Sequence, residues 1–302
     1  MTTTTNIKAR REKRKLLAEF AAESRKDNFD RRIPPPDINY NQLPSSSYQQ
    51  YHRDFVSQSV LRELPELLKL AAFSELSSDF TMLDYGCGLG RLAFAFTNFF
   101  GKLESRHYFG YEIHPTAYAF LSEAYRDFPN ITLISDPLSL RDSYVEIHHG
   151  AASSVPDSER ISASQVKLHD RIKQKLDLQF SHSVFTHMYR EPIVNILREF
   201  TEMLKPDAIC VNTWFIVDEF AQSALRCGLA DRELPFEFKE DGFYTYLKDN
   251  PLMCTAYKLE ALRAIYASAG HEIVDIRWGT WSGRLPTQQI SYQDLVISKP
   301  RT

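Results

Sequence analysis

From Phe80 onward, short apolar runs alternate with stretches in which apolar residues recur at helical spacing, the order of a doubly wound α/β domain. The pattern predicts strands at Thr81 to Tyr85, Tyr108 to Ile113, Ile131 to Ser135, Leu176 to Ser181, Ala208 to Phe215, Glu272 to Arg277 and Tyr292 to Ser298. Between them it predicts helices at about Arg91 to Phe100, Thr116 to Phe128, Glu191 to Leu204, Asp218 to Cys227 and Lys258 to Ala269. Pro115 stands where a helix begins and Gly270 just past where one ends, the positions that suit a fixed φ and a left-handed turn.

Two stretches break the alternation. Residues 138–175 are polar and read as an insertion after the third strand. Residues 228–255 place Phe236, Phe238, Phe243, Tyr244 and Tyr246 among acids and prolines without clean periodicity, which suits either a lid over a substrate or a packed excursion. Upstream, residues 7–28 have helical composition, Pro34-Pro35-Pro36 ends any helix, and the stretch to Ser47 reads as a linker. Val60, Leu64, Leu67, Leu68 and Ala71 recur at helical spacing over Val56 to Phe73, with Pro65 as a kink. The organisation expected is a basic helical extension with a Pro/Ser linker over 1–49, followed by one domain over 50–302.

Composition narrows the class. With 302 residues, 43% hydrophobic and 25% charged, the chain can bury a full core and has neither a disordered nor a membrane composition. The longest apolar run is too short to span a bilayer, and the N-terminus lacks a signal-peptide core, so the expectation is a cytoplasmic protein. Cys87, Cys210, Cys227 and Cys254 lie far apart, as free thiols of a reducing compartment do. The net charge of −3 is uneven: residues 1–32 hold ten Lys/Arg against five Asp/Glu. That arm suits nucleic acid, anionic lipid, an acidic partner, or simply a solvated helix.

The candidate chemistry centres on Leu83-Asp84-Tyr85-Gly86-Cys87-Gly88-Leu89-Gly90-Arg91. A strand, a turn with glycine at alternate positions and a helix form a place where backbone approaches a nucleotide-like ligand closely. A dinucleotide fingerprint requires glycine at position 91, where Arg91 stands, so hydride chemistry is disfavoured. Asp84 ends the first strand, where its carboxylate can meet a cationic amine, and Glu112 closes the second, where an acid accepts from ribose hydroxyls.

These residues resemble a known family. Leu83 to Arg91 is similar to motif I of the class I S-adenosylmethionine-dependent methyltransferases, and Tyr111-Glu112 to the acidic motif that follows it. The resemblance implies a Rossmann-like sheet of seven strands with the last one antiparallel, S-adenosyl-L-methionine as cofactor, and contacts from Asp84, Gly86, Cys87, Gly88, Gly90 and Glu112. It adds Asp136 beside the adenine and Ser181 at the end of the fourth strand.

Methyl transfer from a sulfonium needs alignment and, for a hydroxyl acceptor, removal of a proton. His187, in Ser183-Val184-Phe185-Thr186-His187, is the candidate base, the alternative being a histidine that lines the cofactor or bonds backbone. The same string lacks the Asn/Asp-Pro-Pro-aromatic segment of nucleobase-amine methyltransferases and resembles a bacterial subgroup acting on sugars and other small acceptors. Tyr244, Trp281, Arg284 and Asp294 are the expected acceptor contacts, with Trp281 stacking on a sugar face and the polar groups meeting hydroxyls. An RNA or protein methyltransferase guided by the basic arm, and a non-catalytic cofactor-binding protein, are the other readings. His148-His149 and His169-Asp170 lack a third ligand for a metal and read as solvated.

Overall fold

A computed structural model describes residues 30–35, 38, 48–59, 79–138, 160–231, 234–239, 242–284 and 291–301. The helix expected over 7–28, most of the linker, the part of the Val56 to Phe73 helix beyond Ser59, and the middle of the 138–175 insertion lie outside the described residues.

Seven strands form one sheet. β1 (Phe80–Tyr85), β2 (Arg106–Tyr111), β3 (Ile131–Ile134), β4 (Leu176–Ser181) and β5 (Leu204–Trp214) run parallel, and β10 (His271–Arg277) and β11 (Asp294–Pro300) complete it in the order β10-β11-β5-β4-β1-β2-β3. β11 is antiparallel to both neighbours, as the motif resemblance implied. The helices are α1 (Tyr48–Ser57), α2 (Arg91–Phe100), α3 (Pro115–Ala124), α4 (Arg190–Met203), α5 (Glu219–Cys227) and α6 (Leu259–Ser268). The positions of α2 to α6 agree with the apolar periodicity to within a few residues, and Pro115 is the first residue of α3, whereas α1 lies ahead of the helix expected from Val56.

Alternation along the parallel strands divides the core. Met82, Leu178, Phe180 and Val211 face α2 and α3. Leu83, Tyr85 and Cys210 face the opposite layer, to which α4 contributes Ile193, Ile196, Leu197 and Phe200. β5 begins four residues before the expected start because Lys205, Pro206 and Asp207, half-buried or exposed, carry no apolar signal. Lys205 Nζ meets Asp177 Oδ1 at 2.7 Å and holds that ragged start against β4.

The insertion divides in two. Leu138 and Ile161 form a parallel bridge, closing its base. Ala163, Val166, Leu168 and Ile172 then enter the core. His169 is not merely solvated: Nδ1 lies 2.6 Å from Oε2 of the buried Glu199 on α4. At the N-terminal side, Ile33 is buried with Tyr51, Phe55 and Phe94, and the Arg32 guanidinium lies 4.7 Å from the Phe94 ring centre.

The segment 228–255 belongs to a second sheet that periodicity did not reveal. β6 (Ile216–Val217), β7 (Phe238–Lys239), β8 (Phe243–Thr245) and β9 (Thr255–Lys258) pair in the order β6-β9-β8-β7. Ile216, Phe243 and Tyr257 join the main core, whereas Val217, Tyr244 and Ala256 face a cluster with Phe215, Phe236 and Trp281.

Candidate functional site

The carboxyl ends of the parallel strands carry the glycine turn. Gly86, Gly88 and Gly90 have φ of +80°, +56° and +80°, a region in which a side chain is strained. Space is also lacking. A Cβ on Gly86 would overlap Cγ2 of Val184, and one on Gly90 would lie 2.5 Å from Cδ2 of Leu121. The turn is therefore glycine for two reasons: its backbone conformation, and its close fit to the β4 loop on one side and α3 on the other.

Four amides of this turn, those of Gly86, Cys87, Gly88 and Gly90, bond within the protein. Gly86 and Cys87 N–H both donate to Tyr111 O, at 2.8 and 3.0 Å, which folds the turn onto the end of β2. Gly88 N–H donates to Glu112 Oε2 at 2.7 Å, and His114 N–H to Glu112 Oε1 at 2.7 Å. Glu112 is buried, and burial raises its carboxyl above the usual range despite these backbone bonds. A carboxylate has about four lone-pair sites, so the two amides leave it capacity for hydroxyl donors.

Asp84 lies beneath the turn, buried, and accepts from Tyr108 Oη at 2.6 Å. Tyr108 is a partner that sequence reading missed. Cys87 is buried, and its thiol is pushed well up, first by burial and then by the charges of Asp84 and Glu112, so it is no nucleophile. Asp136 accepts from Tyr111 Oη at 3.1 Å and pairs with Arg171. Ser181 Oγ donates to Asn212 Oδ1 at 2.6 Å, in a buried network that reaches Tyr266. Its hydroxyl is engaged inside the protein at the strand end.

After β4 the chain makes a tight loop with one turn of 3-10 helix, Phe185–His187. Ser183 has φ +58°, rare for a residue with a Cβ. Its N–H donates to Thr213 Oγ1 at 2.7 Å and its Oγ accepts from Gln293 Nε2 at 3.0 Å. Val184 thereby lies against Gly86. His187 Nδ1 is 3.0 Å from Leu252 O. A carbonyl only accepts, so the ring carries its proton on Nδ1 and, when neutral, presents a basic Nε2.

The expected acceptor contacts separate. Trp281 is fully buried in edge-to-face contact with Phe215 and Phe236, so it offers no face to a sugar. Asp294 is buried too: Oδ2 accepts from Ile216 N–H and Trp281 Nε1–H, both at 2.8 Å, and Oδ1 from Gly279 N–H at 2.7 Å. Burial pushes its carboxyl up to about 6. Arg284 pairs with Asp218 at 2.5 Å and lies between the rings of Phe220 and Trp278, 4.4 and 4.2 Å from their centres. These three residues fasten the chain between β10 and β11, for the physical reason that buried polar groups must be paired.

Tyr244 differs. It is half-buried and lines a groove of about 480 Å³ with Val217, Arg226, Phe236 and Glu237, in the size range of small-molecule sites. Phe236 on its wall has φ +47°. His187 is not brought to this groove. Tyr257 Oη bonds Met188 O and Thr255 Oγ1 bonds Phe185 O, which places the His187 loop on the opposite face of the small sheet.

No protein-family model matches the chain. Among solved structures, the CcbJ methyltransferase from Streptomyces caelestis is similar over 91% of this chain and 100% of its own, with a TM-score of 0.51 and 12% identity. An S-adenosylmethionine-dependent methyltransferase from Clostridium acetobutylicum ATCC 824 is similar over 83% and 98%, with a TM-score of 0.48 and 11% identity. The mitomycin 7-O-methyltransferase MmcR is similar over 84% of this chain, at a TM-score of 0.46 and 15% identity, and the chain spans 56% of that protein's length. At such identities a likeness speaks to architecture alone, and the first of the three carries it. With its mixed sheet, terminal antiparallel strand and glycine turn after β1, the chain has the Rossmann-like fold of the class I methyltransferases.

Proposed function

We propose that the protein is an S-adenosylmethionine-dependent methyltransferase that methylates a hydroxyl of a sugar, glycan or other small acceptor. The observation that carries this reading is the Gly86–Gly90 turn, tight enough that no Cβ fits at Gly86 or Gly90, with the Glu112 carboxylate bonded to its middle. These residues suit the cofactor: the glycines leave backbone bare for close approach, and Glu112 retains lone pairs for a ribose diol. Asp84 beneath the turn and the first turn of α2 after it bring an anion and a helix N-terminus to the same turn, suiting an amino-acid end that is both cation and anion. When bound, the cofactor supplies a methyl group already activated on a sulfonium, and the protein's part is alignment and proton removal.

His187 is the proposed base, through Nε2, its Nδ1–H being held by Leu252 O. Because the small sheet lies between the Tyr244 groove and His187, an acceptor that His187 deprotonates binds on the His187 side of that sheet. His187→Gln is expected to lower kcat with acceptor KM little changed, and Tyr244→Ala to leave both unchanged; a raised acceptor KM in Tyr244→Ala moves the acceptor to the groove and removes His187 as its base. The primary test is calorimetric titration with S-adenosyl-L-methionine, in which the intact protein binds and Glu112→Ala weakens binding strongly. No heat of binding in the intact protein overturns the reading. Label transfer from methyl-tritiated cofactor to extracted small molecules then separates an enzyme from a non-catalytic binder.

A further inference from the structure

The loop after β4 stores backbone strain at the point where it meets the glycine turn. Ser183 is at φ +58°, a left-handed conformation that disfavours a residue with a Cβ. Two groups from other strands hold it there. Thr213, near the end of β5, accepts from its N–H at 2.7 Å, and Gln293, just before β11, donates to its Oγ at 3.0 Å. Thr213 and Gln293 are both buried, so the pair is a rigid mould rather than a surface contact. The next residue, Val184, then sits against Gly86 so closely that a Cβ on that glycine would overlap its methyl. The other end of the Gln293 amide, Oε1, is buried without a hydrogen-bond partner among the described residues, as are atoms of Gln179, Asn130 and Thr186, so the bond to Ser183 is what its side chain contributes.

Strain held by surrounding structure is characteristic of sites whose shape matters to a ligand. We infer that Ser183, locked left-handed by Gln293 and Thr213, is a positioning residue that presses Val184 onto Gly86 and so sets the shape of the cofactor turn. The inference rests on the proposed cofactor but concerns the turn itself. Gly86 and Cys87 N–H are bonded to Tyr111 O, and release of Val184 loosens those bonds.

The test uses Ser183→Ala, Ser183→Gly and Gln293→Ala in the full chain. Ser183→Ala and Gln293→Ala break the tie but keep a Cβ in the left-handed region, whereas Ser183→Gly breaks the same tie and removes the strain. Amide exchange by mass spectrometry in the ligand-free protein is expected to quicken across residues 85–90 in the first two variants. The factor is roughly five to thirty, the equivalent of ~1–2 kcal/mol, and Ser183→Gly stays within about threefold. Calorimetry with S-adenosyl-L-methionine is expected to show the same order in Kd. A merely structural role lowers stability in all three variants and leaves exchange in the turn and Kd alike in alanine and glycine variants, and that result overturns the inference. Should the intact protein not bind the cofactor while exchange follows the expected order, the functional reading falls and the positioning role stands.

Discussion

The fit between Gly86 and Val184 yields a prediction that separates two costs. Gly86→Ala places a Cβ at φ +80° and onto Cγ2 of Val184. The first cost is the left-handed region, ~1–2 kcal/mol. The second is overpacking, ~1–3 kcal/mol for extra atoms forced into a filled site, so the variant is expected to lose about 2–5 kcal/mol. In a Val184→Ala background the nearest remaining atom is the Cβ of residue 184, 3.6 Å from the new methyl, which is an ordinary contact. Only the conformational cost then survives. Urea unfolding of the four proteins of this cycle should give a coupling energy of ~1–3 kcal/mol, with Gly86→Ala milder in the Val184→Ala background. A coupling below about 0.5 kcal/mol refutes the close fit, and a Gly86→Ala cost that vanishes in the double variant refutes the left-handed backbone. The same cycle on Gly90 and Leu121, where the added Cβ lies 2.5 Å from Cδ2, serves as an internal control.

Other consequences follow from buried charge. Burial raises the Asp294 carboxyl from the ordinary aspartate range to about 6, so its neutral form is favoured in the fold, and its contribution is greatest below the ordinary carboxylate range and falls as pH rises through 6. Relative to Asp294→Asn, the protein should therefore lose on the order of 2 kcal/mol between pH 4 and pH 6. A stability difference between the two that is flat over this window refutes the assignment. Arg284→Ala should cost ~1–3 kcal/mol in urea unfolding through loss of the Asp218 pair and two ring contacts. Unchanged stability with a raised acceptor KM returns Arg284 to a substrate role. Glu112→Gln replaces an acceptor of two amides with a group that has only one oxygen, and is expected to lower the melting temperature by several degrees, for a loss of roughly 1–2 kcal/mol. No shift in a thermal scan argues against those amide bonds.

The parallel strands and the helices on their faces were legible because each is long enough to display its period. β4 spans Leu176–Ser181 and α2 Arg91–Phe100, at the bounds expected from pattern alone. The second sheet was hidden because β6 and β7 have two residues each, β8 three and β9 four, too few for alternation to stand out from an aromatic-rich loop. Its order is also set by β6 reaching across to β9, a long-range pairing that no local signal encodes. The glycine turn was legible as a turn, but the direction of its amides was not. That direction depends on Tyr111 O and Glu112, about twenty-five residues on, and on the register that places β2 beside β1.

Three of the four expected acceptor contacts, Trp281, Arg284 and Asp294, are engaged within the protein, for a reason of a different kind. Trp278 to Arg284 and Asp294 carry the groups that stack on rings and bond hydroxyls, and those groups are equally what a protein uses to fasten its own backbone. A tryptophan N–H and a carboxylate satisfy each other when both are buried, as Trp281 and Asp294 do at 2.8 Å. The type of residue announces that a polar partner is required, but not whether the partner is a ligand. An unmatched group does not decide it alone: among the described residues, atoms of Gln179, Asn130 and Thr186 are left unmatched as well as Gln293 Oε1, and Gln293 is set apart by its bond to the left-handed Ser183. Single-sequence pattern gives such a glutamine no weight, because its significance lies in the strained Ser183 that it holds from 110 positions away.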